Sequence, residues 1–138
     1  MRLDLRSSRS EKSNVTSTES RHSSTFILYE GSGWFSRESI AVAPNQTLAA
    51  GQVVGKIARE GGSDEVAALK PKGTDGSEIA AGVVVYAVTT DDSTPKKAAV
   101  LVSRAEVRGS DLIWPIGITP VQQAAAVKQL RAAGILVS

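Results

Sequence analysis

Apolar residues occur in short runs from Phe26 to the C-terminus, and the gaps between the runs are rich in glycine, proline, asparagine and aspartate. Runs of about four to eight apolar and β-branched residues with such boundaries are typical of β-strands. The most β-biased stretch, Val83-Val84-Val85-Tyr86, predicts a central strand. We expect it to pair as a hairpin with the apolar run that follows the polar loop Thr89–Pro95. The pattern as a whole predicts strands within Phe26–Tyr29, Ile40–Ala43, Gln52–Ala58, Val66–Leu69, Ile79–Val88, Ala98–Val102 and Arg104–Asp111.

A single helix is predicted near the C-terminus, over Pro120–Ala133. Thr119 is a suitable N-cap, proline occupies the first helical position, and Gln122 completes a capping box three residues after Thr119. Gly134 suits the left-handed position that ends many helices. The apolar residues after it, Ile135 to Val137, predict an extended end. The fold class predicted is therefore mainly β (α+β): a compact small β domain with one C-terminal helix.

The first 25 residues have a different composition from the rest. They are dominated by serine, threonine and charged residues, and Val15 is the only apolar residue between Arg6 and Phe26. Such a segment cannot bury enough apolar surface to offset the entropy lost on ordering. The composition predicts a disordered, flexible N-terminal arm over residues 1–25 and one folded domain over residues 26–138.

The net charge of +2 belongs to the arm, which carries five basic and three acidic residues; the other 113 residues carry 11 of each. A neutral body lacks the clustered lysines and arginines that bind a phosphate backbone, so no nucleic-acid partner is expected. No apolar run approaches the roughly 20 residues that span a bilayer, so no membrane partner is expected. The absence of cysteine excludes disulfides and suits synthesis in a reducing cytoplasm.

Residues suited to catalysis or metal binding are sparse. The only histidine, His22, lies in the arm, whereas a general base must be held in fixed geometry. The acidic pairs Asp91-Asp92 and Asp64-Glu65 lie in predicted loops without further ligands. The segment Gly51–Lys56 lacks the spacing and the hydroxyl residue of a phosphate-binding loop. The sequence predicts no catalytic residue, no cofactor and no metal site, and hence no enzyme.

Both tryptophans have apolar or proline neighbours: Trp34 precedes Phe35, and Trp114 precedes Pro115. Tryptophan is enriched at the centres of protein interfaces, and it is also common in cores. For Trp114 the two interpretations, core residue and subunit contact, are equally compatible with the sequence.

Five stretches of the chain, in this order, resemble the head decoration proteins of lambda-like tailed bacteriophages. Their order and spacing carry the resemblance, because glycine turns alone occur in many small β domains. The stretches are Phe26–Glu30 with Ser36–Glu38, Leu48–Lys56, Asp75–Gly82, Ala98–Val107 and Leu130–Val137. The resemblance implies a structural virion protein that forms homotrimers at threefold sites of the mature capsid and stabilises the expanded shell against DNA pressure. It also implies the major capsid protein as partner, the outer capsid surface as location, and synthesis in the host bacterial cytoplasm.

In this family the N-terminal arm reaches the capsid, often by adding a strand to it. The resemblance thus implies a capsid-binding role for the end of the arm and the first β-prone run, which suits strand addition. These residues are Thr25, Phe26, Ile27, Leu28 and Tyr29. Trp34, Trp114 and Pro115 are the candidates for the trimer interface.

The alternative is a lipoyl- or biotinyl-like carrier domain, or another small β-barrel binding module, because glycine-flanked Val-Val strands also occur there. A carrier needs a lysine at a hairpin tip. Lys70 and Lys72 flank Pro71 in a predicted loop, but they lack the acidic or methionine neighbour that carriers have. A terminal helix is foreign to the carrier fold.

Overall fold

The computed structural model describes residues 26–31, 36–59 and 62–138. The predicted arm, residues 1–25, lies outside the described residues, and so does Trp34. Within the described ranges the chain forms β-strands, a short 3-10 turn at Gly109–Asp111 and a helix, α1, at Pro120–Ala133. The strands are β1 (Ile27–Glu30), β2 (Arg37–Val42), β3 (Thr47–Leu48), β4 (Val53–Ile57), β5 (Glu65–Ala68), β6 (Ala80–Val84), β7 (Val88–Thr89), β8 (Lys97–Leu101), β9 (Ala105–Val107) and β10 (Ile135–Val137). The prediction of a mainly β domain with one C-terminal helix is confirmed.

Five strands close into a barrel in the order β2-β5-β4-β6-β8. All neighbours are antiparallel except β2 and β5, which run parallel. Because side chains alternate along a strand, every second residue of each barrel strand points to the barrel interior. That interior is filled by Ile40, Val42, Leu48, Val54, Val66, Val84, Ala98 and Val100.

A second apolar core lies between the outside of the barrel and the helix. It takes the alternate residues of the same strands, among them Val53, Val83 and Leu101. The helix contributes Ala126 and Leu130 to it. Burial on both faces explains why Val83, Val84 and Val85 form a continuous apolar run, since all three are fully buried.

A separate three-stranded sheet, ordered β1-β9-β10, packs against the second core. Strand β1 runs antiparallel to β9, with Ile27 opposite Val107, and β10 runs parallel to β9, with Ile135 opposite Ala105. A parallel pair needs a crossover connection, which α1 supplies here. Strands β3 and β7 form a two-stranded antiparallel ribbon.

The predicted helix boundaries are confirmed. The Thr119 side chain accepts a hydrogen bond from the Gln122 backbone N–H at 3.1 Å, and the Gln122 side chain accepts one from the Thr119 N–H at 3.0 Å. Gly134 ends the helix with φ of 101°. The Gln129 Oε1 accepts a hydrogen bond from the Ala80 N–H at 2.8 Å, which ties the helix to β6.

Two of the five stretches that carry the resemblance pack directly on each other. A side chain at Gly76, whose φ is +108°, would collide with the carbonyl of Lys56. A Cβ at Gly55 would lie 2.7 Å from the Cα of Ser77. Glycines at these positions therefore let the loop before β6 lie flat on β4.

Candidate binding surfaces

The first candidate surface is β1, the region predicted to contact a capsid. Strand β1 is at the edge of its sheet: one side pairs with β9, and no described strand pairs with the other. Leu28 and Tyr29 are exposed, at 43% and 63%, whereas Phe26 is buried at 1%. Phe26 is part of the second core, and Ile27 packs half-buried against that core. Thr25 lies outside the described residues.

The outer face of the β1-β9-β10 sheet carries a row of three side chains. Tyr29 is opposite Glu106, and Glu106 is opposite Leu136, so the three are cross-strand neighbours. Leu136 is 48% exposed, while its neighbour Ile135 is fully buried. Leu136 was not predicted as a surface residue, although alternation after the Gly134 cap places it on the opposite face from Ile135.

A charged cluster joins the end of β1 to the start of β2. The Arg37 guanidinium donates two hydrogen bonds to the Glu30 carboxylate, at 2.6 Å and 3.0 Å, and the buried Ser36 hydroxyl donates a third at 2.7 Å. The hydrogen bonds from Arg37, with a smaller contribution from Ser36, hold the pKa of Glu30 below its ordinary value even though burial opposes them. Arg37 also lies over the ring of Tyr86, with its Cζ 6.0 Å from the ring centroid.

The second candidate surface surrounds the Trp114-Pro115 pair. Trp114 is half-buried and packs against the second core, so both interpretations of its role are still compatible with its position. The Pro115 carbonyl accepts a hydrogen bond from the Ile118 N–H at 3.2 Å, and Gly117 has φ of +83°. A turn with glycine at positive φ in its third position has type II character, and it places Ile116 at the tip. Ile116 is fully exposed.

Two clefts border this turn. A cleft of about 490 Å³ separates residues 115–118 from the Lys70–Gly73 turn, which places both Lys70 and Lys72 at its edge. A smaller one of about 320 Å³ lies toward the helix and is lined by uncharged residues, namely Ile118, Pro120, Gln123, Ala124 and Val127. Ile116 and Val121 were not predicted to be exposed. The sequence does show that no charged residue lies between Asp111 and Lys128, the interval that contains both residues.

In each of the two acidic pairs, one member is held by local contacts, and Glu65 lies at the start of β5 rather than in a loop. The Asp91 carboxylate accepts hydrogen bonds from the backbone N–H groups of Thr94 and Ser93, and these bonds lower its pKa. Glu65 pairs with Arg59 at 2.7 Å. The described residues include no group of three or more potential metal ligands and no helix long and apolar enough to cross a membrane. His22 lies outside the described ranges.

One family model matches the chain, over residues 16–135, and its description is bacteriophage lambda head decoration protein D. The matched span contains the whole barrel, β1, β9 and α1, and it also takes in ten residues of the predicted arm. No curated protein matches the chain.

Proposed function

This chain belongs to the bacteriophage lambda head decoration protein D family, and from that premise we propose that it trimerises at the threefold sites of the mature capsid. There it stabilises the expanded shell against the pressure of the packaged DNA. The observation that carries the proposal is the family match over residues 16–135, which is most of the chain. Membership of this family gives the chain a structural role on the phage head, with the capsid as its binding partner.

We propose that residues Thr25–Tyr29 contact the major capsid protein through strand addition. Support comes from the position of β1 at a sheet edge, because the side of β1 with which no described strand pairs offers backbone groups to an added strand. The exposed side chains of Leu28 and Tyr29 add apolar area to that contact. Because the Phe26 side chain is buried in the body, Phe26 supports this contact by anchoring β1, and the exposed side chains are those of Leu28 and Tyr29.

Truncation tests the arm, because the family match divides it into two parts. A chain that lacks residues 1–15 keeps the whole matched span, whereas a chain that starts at Phe26 loses residues 16–25 but keeps β1 and its buried anchor. We expect the first variant to bind expanded, undecorated capsids like the full chain, and the second to bind far more weakly. Equal binding by all three proteins would contradict a capsid contact by residues 16–25, and it would leave both the proposed strand addition by β1 and the family assignment intact.

The stabilising role is tested by adding the full chain to the same capsids. Binding should saturate at three copies per threefold site, and the decorated capsids should withstand higher temperature or chelator concentration than bare capsids. Failure of the full chain to bind expanded capsids would contradict the proposed function as a whole.

We also propose Trp34, Trp114 and Pro115 as trimer contacts. Among these, Trp114 and Pro115 lie beside the exposed turn at Ile116.

A further inference from the structure

We propose that the segment Leu112–Val127, which we call the uncharged band, is the surface through which three copies of this chain meet around the threefold axis. Ile116 and Val121 are its most exposed large side chains, at 105% and 80%. The proposal rests on the proposed trimer and goes beyond it by stating which surface of the protein lies at the axis.

The band is free of charge and carries exposed apolar side chains, although Leu112 and Ala126 within it are buried in the second core. None of its 16 residues is charged. Ile113, at 41% exposure, adds a third exposed apolar side chain to Ile116 and Val121. Tight turns and the first turn of a surface helix normally carry polar residues, because they face water. Single exposed apolar side chains are common, but three of them within one segment of 16 uncharged residues favour a surface that another protein covers.

Another part of the chain provides a comparison. Residues 39–55 are also uncharged over 17 positions. Their large apolar side chains, Ile40, Val42, Leu48, Val53 and Val54, are all buried within the body. Burial of these side chains within the body explains why residues 39–55 carry no charge. Burial does not explain the lack of charge in the band, because the large side chains at positions 113, 116 and 121 are exposed to solvent.

The helix contributes to the band through a weakly anchored first half. Only Ala126 and Leu130 of α1 are fully buried, so Val121, Ala124 and Ala125 are left on the outside. The charged residues of the helix, Lys128 and Arg131, come only in its second half. The helix surface is thus uncharged toward its N-terminus and basic toward its C-terminus.

Symmetry determines which partner fits such a surface. Near a threefold axis each side chain meets its own copies, so any charged residue there would face like charges, which is unfavourable. The uncharged band avoids this cost, and so a second and a third copy of the same chain suit it. The band also contains an uncharged cleft of about 320 Å³ beside the turn that carries Ile116, so an apolar side chain of a neighbouring copy could enter it without meeting a charge.

The natural absence of cysteine allows a direct test on decorated capsids. Ile116→Cys and Val121→Cys place single thiols in the band, and Ile79→Cys is the matched control at an exposed isoleucine, 52% accessible, outside it. After binding to expanded capsids, each variant is treated with a trifunctional maleimide. We expect the band variants to give a species of about 43 kDa, three times the 14.4 kDa chain, and the control to stay monomeric.

A charge variant supplies an independent measurement. Ile116→Lys should raise the concentration for half-saturation of capsids at least about tenfold, whereas Ile79→Lys should bind like the natural chain. Because Ile116 is fully exposed and Ile79 is 52% exposed in the single copy, both variants should stay folded, with melting temperatures close to that of the natural chain. Equal binding by the two lysine variants would overturn the inference. The inference would also be overturned if Ile116→Lys lost binding while neither cysteine variant of the band gave cross-linked trimers. That result would mean that the band contacts the capsid and not other copies of the chain. If the natural chain itself fails to bind capsids, the proposed function falls together with this inference.

Discussion

Phe26 decides where the arm ends and the body begins, and its replacement by alanine tests that boundary. Its side chain is 1% exposed and belongs to the core between the barrel, the helix and the β1-β9-β10 sheet. Its carbonyl also accepts a hydrogen bond from the Arg108 N–H at 2.8 Å. Removing a buried phenylalanine side chain costs about 3–5 kcal/mol, a large part of the roughly 5–15 kcal/mol that stabilises a typical domain. We therefore expect Phe26→Ala to lower the free energy of unfolding by about that amount.

Urea unfolding, followed by circular dichroism, measures this loss. With a slope of about 2 kcal/mol per molar urea, typical of small domains, the midpoint should fall by about 2 M. Tyr29→Ala is the matched control, because it removes an aromatic ring from the same strand where the ring is 63% exposed. Its effect should stay within about 0.5 kcal/mol. If the two variants unfolded at the same urea concentration, Phe26 would belong to the arm and the assignment of β1 to the body would be wrong.

Two further predictions concern electrostatics and the helix. Arg37 holds the pKa of Glu30 below its ordinary value in the folded chain. The ionised Glu30 therefore stabilises the fold at any pH above the ordinary pKa of a glutamate. This stabilisation is lost as the pH falls through the lowered pKa of the folded state. The difference in unfolding free energy between the natural chain and Glu30→Gln should therefore be constant near neutral pH and shrink on acidification; a difference that does not change with pH would contradict the role of the ion pair. Thr119→Ala should cost about 1 kcal/mol through loss of the cap, and Gly134→Val more than that, because its φ of 101° is unfavourable for a β-branched residue. Thermal melts of both variants measure these costs, and negligible shifts in both would mean that the capping geometry is wrong.

The elements with local signals were predictable from the sequence. The helix was predicted with its observed boundaries, since the capping box around Thr119 and the left-handed Gly134 involve only neighbouring residues. The hairpin of β6 and β8 was also predicted, and the antiparallel pairing of Val83 with Leu101 confirms it. The β-biased run Val83–Tyr86 indicated a strand; Val83 and Val84 do lie in β6, which ends at Val84, so Val85 and Tyr86 come after it.

The long-range arrangement was not predictable in the same way. Strands β3 and β7 have two residues each, too few to show a period, and their pairing depends on the packing around them. The parallel pairs, β2 with β5 and β9 with β10, join segments whose sequences carry no signal for each other. Closure of the barrel follows from the registers of five strands at once, which a single sequence does not reveal.

The candidate surfaces were predictable only in part. The sequence drew attention to Trp114 and Pro115 through their composition, but it could not tell that Ile116 beside them is fully exposed. Exposure of an isoleucine depends on the turn conformation that Gly117 permits and on how the helix is placed against the barrel. The lack of charged residues over 112–127 was the signal for this surface in the sequence. Residues 39–55 also lack charge, yet their large apolar side chains are buried, so the burial of each residue is needed to tell a core segment from a surface.

The β1-β9-β10 sheet has a consequence for the order in which the protein folds. Ile27 pairs with Val107, about 80 positions later in the chain, and β10 completes the sheet only from Ile135 onward. Pairing across such a separation is slow, because the long loop between the strands must first close. During synthesis on the ribosome, β1 emerges early and stays unpaired until β9, which is synthesised near the end of the chain, becomes available. The barrel can therefore form first, and during that interval Phe26 and the edge of β1 are open to other chains, which makes this sheet the place where aggregation competes with folding.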